Sequence, residues 1–343
     1  MLLVTGACGY IGSHFMHYYL AQAANRDQSL VAIDNLLLGH KESISPDIES
    51  RVHFYQCDIG DKKALGEILQ KHSVHAVVHF AASAYVGESQ EKPFKYFDNN
   101  VFQSLSFFES LLMAGVRKVV FSSTCATYGM PVRTPMDENH PQSPINTYGV
   151  TKLMVEEALR ALALASGLSY VLLRYFNAAG ASPSGLVGES HAHETHLIPL
   201  ALAAALGGGE PLKIFGNDYD TPDGTCIRDY VHVDDLAAAH LLALKLFERD
   251  KMPEKATLAD SNGLGAAFNL GTARGVSVME VLKTIESVAG LAVPFSFASR
   301  RAGDPSRLFA DAGRANNVLG WQPRYGLSDI VETALHWEKH RRY

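Results

Sequence analysis

The 343 residues are 47% hydrophobic and 19% charged, a globular composition long enough for one large core or two moderate ones. A formal charge of −6 with no long block of one sign argues against nucleic acid as a partner, yet leaves room for an anionic ligand held by a few arginines and helix N-termini. Cys8, Cys57, Cys125 and Cys226 form no Cys-x-x-Cys pair, the N-terminus lacks the basic flank of a signal peptide, and no apolar run reaches the roughly 18 residues a membrane span needs. A cytoplasmic protein with no membrane partner is expected.

Short apolar runs alternate with longer amphipathic stretches: Leu2–Thr5, Leu30–Ile33, His53–Gln56, Ala76–Phe80, Lys118–Ser122 and Tyr170–Arg174. Strands buried on both faces have this continuous apolar character, and the stretches between them supply helical crossovers, so the class is α/β with a parallel sheet. After Asn177 the pattern changes to loops rich in Gly, Pro and Ser, a helix near Leu197–Leu206, and a segment, GGGEPLKIFGNDYDTPDGT, that reads as site-forming loop. A helical stretch near Val233–Glu248 is expected to pack back on the first part, and Arg249–Gly265 to be surface loop. Residues 1–176 are thus expected to form a dinucleotide-binding domain, with about 228–250 returning to it, and 177–343 to form mainly a smaller substrate-binding lobe.

The first strand runs into Gly6-x-x-Gly9-x-x-Gly12, followed by a periodic helix that carries Tyr10 and Ile11. Glycines there allow a tight turn and close approach to a pyrophosphate, whose charge meets free N–H groups at the helix N-terminus. The second strand ends in Asp34-Asn35, the acid lying 22 residues after Gly12, where such folds place a carboxylate on ribose hydroxyls. That carboxylate repels a 2′-phosphate, which favours NAD over NADP. Asp58, before Ile59, either holds the adenine or caps the next helix; the sequence leaves both open.

Tyr148 and Lys152 share one face of a helix through their i, i+4 spacing. A tyrosine acts as a base near neutrality only if positive neighbours, here Lys152 and the nicotinamide, lower its pKa. Upstream, an apolar strand ends in Ser122-Ser123-Thr124 at the edge of the sheet where open α/β proteins bind ligands, and Thr124 is expected to share the substrate hydroxyl with Tyr148.

The stretches VTGACGYIGSH, HFAASAYVGES, FSSTCATYG, YGVTKLMVE, LRYFNAAGASPSG, IFGNDYDTPDGTCIRDYVHVDDLA and RRAGDPSRLFAD together resemble the UDP-galactose 4-epimerases of the extended short-chain dehydrogenase/reductase family. The resemblance covers residues 2 to 311. It implies a doubly wound Rossmann sheet and reversible C4 epimerisation of a UDP-sugar, by transient hydride transfer to tightly bound NAD through a 4-keto intermediate. Phe80, Ala81, Ala82, Asn99, Ser122 and Tyr175 would then line the cofactor groove. Phe176, Asn177, His196, Leu197, Lys213, Ile214, Phe215, Arg228, Tyr230, Arg301, Asp304 and Leu308 would meet the substrate, with both arginines on the phosphates, Asp304 on the uridine ribose and Lys213 to Phe215 around the uracil. Family members are usually homodimers joined through helices corresponding to Asn100–Ala114 and Thr151–Ala165.

Two departures stand out. Ala84 replaces a lysine that offers a phosphate contact in a well-known branch, and Leu308 falls where that branch carries a tyrosine, so the sugar pocket gains room for a 2-acetamido group. A UDP-pentose epimerase is an alternative. A 4,6-dehydratase fits less well, because Cys125-Ala126 rather than Asp-Glu follows Thr124, and a non-catalytic NAD sensor would not be expected to keep the Tyr/Lys pair. His191, His193 and His196 are read as solvated loop histidines rather than metal ligands.

Overall fold

The computed structural model describes residues 1–248, 264–301 and 303–343. Its centre is a seven-stranded, all-parallel sheet built from β1 (Leu2–Thr5), β2 (Leu30–Asp34), β3 (Val52–Gln56), β4 (Ala76–His79), β5 (Lys118–Thr124), β6 (Ser169–Tyr175) and a strand late in the chain, Gly265–Leu270. The strand order is β3-β2-β1-β4-β5-β6 with the late strand outermost, so the winding reverses between β1 and β4. Ligands bind at such a switch point, beyond the carboxyl ends of the strands.

Helices cover both faces because both faces of the strands are apolar. On one side α1 (Tyr10–Ala21) lies against a helix at Val233–Leu246, burying Phe15, Met16, Leu236 and Ala239. On the other lie α2 (Lys62–Lys71), α3 (Gln103–Met113) and α4 (Thr147–Ser166), which bury Leu65, Phe107, Leu111, Val155 and Leu159. The helix at Val233–Leu246 therefore packs against the first helix of the chain.

Most elements after Asn177 that do not join the sheet or its helices form a lobe above the carboxyl edge of the sheet. Its core packs α5 (Leu197–Ala205), Val278–Ala289 and Leu327–Lys339 around Leu202, Val281, Ile285 and Val331. Short strands complete it: Leu212–Phe215 pairs with Phe295–Ala298, while Ile227–Arg228 lies between Val276–Ser277 and Arg307–Leu308.

Two expectations need correction. The segment taken as loop contains the strand Leu212–Phe215, whose Leu212 and Ile214 are buried, because a partner strand some 80 residues away in the chain supplies the ladder. Gly265, placed at the end of a surface loop, instead begins the outermost strand and pairs with Tyr170 on β6. The rest of that predicted loop, 249–263, lies outside the described residues.

Candidate active site

A cleft of about 620 Å³ runs along the carboxyl edge of the sheet and continues under the upper lobe. At one end the chain leaves β1 through Gly6, whose φ of +63° and proximity to Ala81 exclude a side chain: a Cβ there would lie 2.6 Å from the Ala81 nitrogen. A Cβ on Gly12 would lie 2.1 Å from the Gly6 carbonyl oxygen. These contacts bring the N-terminus of α1 to the cleft wall with Gly9 as its uncapped first position, so its free N–H groups face the cleft. Tyr10, Ile11, Asn35, Ile59, Phe80, Ala81, Ala82 and Asn99 line the same end. Tyr10 also donates its hydroxyl to the Gly180 carbonyl at 2.6 Å, fastening α1 to the upper lobe.

Asp34 lines the cleft at the end of β2 and accepts the backbone N–H groups of Leu36 (2.8 Å) and Cys8 (2.9 Å). Burial pushes its carboxyl upward and those two bonds oppose the rise. Asp58 also lines the cleft, accepting Gly60 N–H and the Asn35 amide; the following helix is capped by Asp61, whose side chain accepts Lys63 and Ala64 N–H. Of the two readings left open for Asp58, the helix cap is therefore filled by another residue. This end of the cleft suits a dinucleotide: glycines where its backbone must approach, a helix N-terminus for the pyrophosphate and acceptors for ribose hydroxyls.

At the centre, β5 and β6 end in register, with Thr124 opposite Tyr175. Helix α4 begins beside them, capped by Asn146, and turns Tyr148 and Lys152 toward the strand ends. The Thr124 hydroxyl, which accepts Ala126 N–H at 3.1 Å, lines the cleft together with Tyr148. Lys152 Nζ donates to the Ser122 carbonyl at 2.9 Å and sits 6.0 Å from the centre of the Tyr148 ring. The Ser122 hydroxyl pairs with the Tyr175 hydroxyl at 2.8 Å beneath the cleft rather than on its wall. Burial lowers Lys152 to about 7, against the attraction of Glu156. Burial also pushes the Tyr148 phenol well above its ordinary value, Tyr175 adds to the rise and Thr124 opposes it. The expected lowering by Lys152 does not prevail in the protein itself, where taking a phenolate out of water is the largest influence on Tyr148.

One buried network, which the sequence reading missed, supports these groups. Glu156, one turn beyond Lys152, accepts Arg174 Nε at 3.0 Å and Nη2 at 2.6 Å, Ser123 Oγ at 2.5 Å and the Gln142 amide at 3.0 Å. Burial alone would raise its carboxyl, and Arg174 with these donors holds it low instead. Arg174 also donates to the Tyr128 hydroxyl, which donates to Asn269. The signal was present: an arginine inside the apolar strand Tyr170–Tyr175 demands a buried partner.

Toward the upper lobe Phe176, Asn177, Arg301, Asp304 and Leu308 line the cleft, as does Ala84 at the substituted position. Leu308 packs on the cluster of Tyr128, Met136, Phe176 and Ala310. Arg301 stacks on Phe215, its guanidinium carbon 4.0 Å from the ring centre. Arg228 does not reach the cleft wall: it donates to the Ile227 and Pro305 carbonyls and pairs with Asp304, so two expected ligands are each other's partners. Leu197, Lys213, Ile214, Phe215 and Tyr230 also lie off the wall, Ile214 and Tyr230 in the lobe core and Lys213 exposed.

The histidine loop differs from its expectation. His193 and His196 are exposed, the latter with 51% of its side chain in solvent, and His191 is half-buried, but His191 and His196 line the cleft and turn Nδ1 toward Glu189 and Glu194. Burial would lower both imidazoles; the hydrogen bonds and charges of the two glutamates prevail and raise His191 to about 9 and His196 to about 10.

Residues 2–259 match the NAD dependent epimerase/dehydratase family. The chain belongs to that family. Among the family's members, UDP-glucose 4-epimerase of Halalkalibacterium halodurans is 45% identical, covering 98% of this chain and 95% of the relative. The crystal structure of UDP-glucose 4-epimerase from Brucella ovis in complex with NAD superimposes with a TM-score of 0.88 at 44% identity, over 98% of both chains. The UDP-Glc/GlcNAc 4-epimerase of Campylobacter jejuni follows at 0.83 and 40% identity, again over 98% of both. Among the described residues, no helix of this family member is long and apolar enough to cross a membrane.

Proposed function

We propose that the chain is an NAD-dependent UDP-sugar 4-epimerase that interconverts UDP-glucose and UDP-galactose and, because Leu308 leaves the pocket wide, their 2-acetamido counterparts. The observation that carries this reading is the meeting of Thr124, Tyr148 and Lys152 at the open sheet edge, in the same cleft as the glycine turn of β1. NAD, when bound, supplies a reversible two-electron acceptor. Tyr148 takes the proton of the sugar 4-hydroxyl, Thr124 shares a hydrogen bond with that hydroxyl, and Lys152 offsets the charge on the phenolate. The C4 hydride passes to bound NAD and comes back to the opposite face of C4 once the 4-keto sugar has turned over about its phosphate linkage, while Tyr148 returns the proton to the C4 oxygen. Because burial raises the free phenol, Tyr148 becomes an effective base only when a cation as close as an oxidised nicotinamide joins Lys152, which couples proton removal to cofactor occupancy.

Residues 1–176, with Val233–Leu246 and Gly265–Leu270, serve NAD in this reading, and the remainder of 177–343 mainly the UDP-sugar. Arg301, Arg228 once released from Asp304, and His196 are the groups for the substrate diphosphate. A homodimer formed through α3 and α4 is supported by the row Phe102 (62% exposed), Leu105 and Met113 (85% exposed), with Met154 and Leu164 alongside. Dispersed, unpaired cysteines suit a cytoplasmic setting.

The test is incubation of the purified protein, without added NAD, with UDP-glucose and separately UDP-N-acetylglucosamine, resolving the C4 epimers. Conversion of both is expected; conversion of neither after NAD is supplied overturns the reading, and a large preference for the unacetylated pair overturns the role given to Leu308.

A further inference from the structure

At the cleft wall, His191 and His196 with Glu189 and Glu194 behind them bring two imidazoles and two carboxylates together, their ligand atoms all within 4.8 Å of one another. Three of the contacts between them are nearly equal: His191 Nδ1 lies 3.3 Å from Glu189 Oε1 and 3.2 Å from Glu194 Oε2, and His196 Nδ1 lies 3.3 Å from Glu194 Oε1. His196 Nδ1 also meets Glu189 Oε1. Bonds of about 2.0–2.1 Å to a tetrahedral zinc ion put neighbouring ligand atoms about 3.3–3.4 Å apart. Three of the four histidine–glutamate contacts are therefore already near the spacing of such a shell; to admit an ion the contact between His196 and Glu189 must open, and Glu194, which meets the two histidines through different oxygens, must turn one of them to the ion.

We propose that these four residues form a structural zinc site. Two imidazoles with two carboxylates suit zinc better than calcium or magnesium, which favour oxygen-only shells. With four protein ligands the site is closed, leaving no open position for a reacting water. Its surroundings agree with a structural role. Glu189 is 4% exposed, and its carbonyl accepts Trp337 Nε1–H at 2.7 Å. Gly188 packs so tightly on the Trp337 ring that a Cβ would come within 2.2 Å of it. Glu194 Oε1 accepts the Thr195 and His196 backbone N–H groups, which orients that carboxylate. On the far side the His191 ring stands edge-on to Tyr10 and Tyr85. An ion here would lock the wall of the cleft between the start of α1 and the C-terminal helix.

Full-length protein is stripped with a chelator and titrated with zinc sulfate in competition with a chromophoric chelator. One zinc ion per chain is expected, with an X-ray absorption signature of nitrogen and oxygen neighbours and no sulfur, and a melting midpoint that rises with zinc. Glu194→Gln and Glu189→Gln, each confirmed folded by far-UV circular dichroism, should each weaken binding by more than the ~10–100-fold that loss of an outer-shell partner costs, and lose the thermal response. Zinc uptake well below one per folded wild-type chain, sulfur in the shell, or wild-type affinity in both variants overturns the site.

Discussion

Two ion pairs flank the cleft. Beneath it, the side chains of Arg174 and Glu156 are 2% and 0% exposed and every polar atom at the contact has a partner; above it, those of Arg228 and Asp304 are 12% and 27% exposed. The lower pair ties β6 to α4 and so fixes Tyr148 and Lys152 relative to Thr124. The upper pair joins Asp304, which lines the proposed substrate end, to Arg228 just off the wall. Where proton transfer is to occur the protein has spent buried charge on rigidity, and where an anion is to be received it keeps an arginine in a partnership that solvent screens and a phosphate can replace.

The largest expected effect tests the chemistry that the lower pair supports. Tyr148→Phe should lower turnover by ~10²–10⁴-fold while NAD stays bound, since it removes only the proton-transfer group; near-wild-type turnover would remove Tyr148 from the mechanism. Next, Glu156→Gln should cost ~3–5 kcal/mol in denaturant unfolding by leaving Arg174 buried without a counter-ion, and a loss below about 1 kcal/mol would erase the contrast between the two pairs. A third effect is a slope. Lys152 titrates at about 7 in the folded protein against an ordinary 10.5. Between those values the unfolded chain holds a proton that the folded chain sheds, so stability rises with pH in this window and the cost of the charged form is present in full below it. In NAD-free protein the melting midpoint of wild type should therefore gain on that of Lys152→Met from about pH 7 to 9.5; parallel curves would contradict this. Smallest of all, Asp304→Asn should change stability by no more than about 1 kcal/mol while altering the KM for the UDP-sugar; a larger stability loss would make the upper pair as structural as the lower.

What could be read beforehand follows the range of the interactions involved. The first six strands of the sheet, the glycine turn and the Tyr148/Lys152 pair are local patterns, visible within a few residues. Gly265–Leu270 carries a glycine, two alanines and an asparagine, and becomes a strand through its pairing with β6 rather than through its own propensity. The strand Leu212–Phe215 was hidden among glycines and prolines for the same reason. Arg228 was read through the resemblance as a phosphate ligand, and its partner in the structure, Asp304, is 76 residues away, a distance no spacing rule spans. Glu189 was overlooked beside three conspicuous histidines, although a buried acid among imidazoles changes what those imidazoles can do.

The outermost strand of the sheet has a consequence for synthesis. Everything from Phe176 to Leu264 leaves the ribosome after β6 and before the strand that covers it, an interval of roughly 5–18 s at typical elongation rates. Throughout that time β6 presents an unpaired apolar edge, the kind of surface that recruits strands from other nascent chains. A fragment ending near residue 176 would keep that edge permanently, so the cofactor half of this protein is not a unit that can be cut out by taking the first half of its sequence.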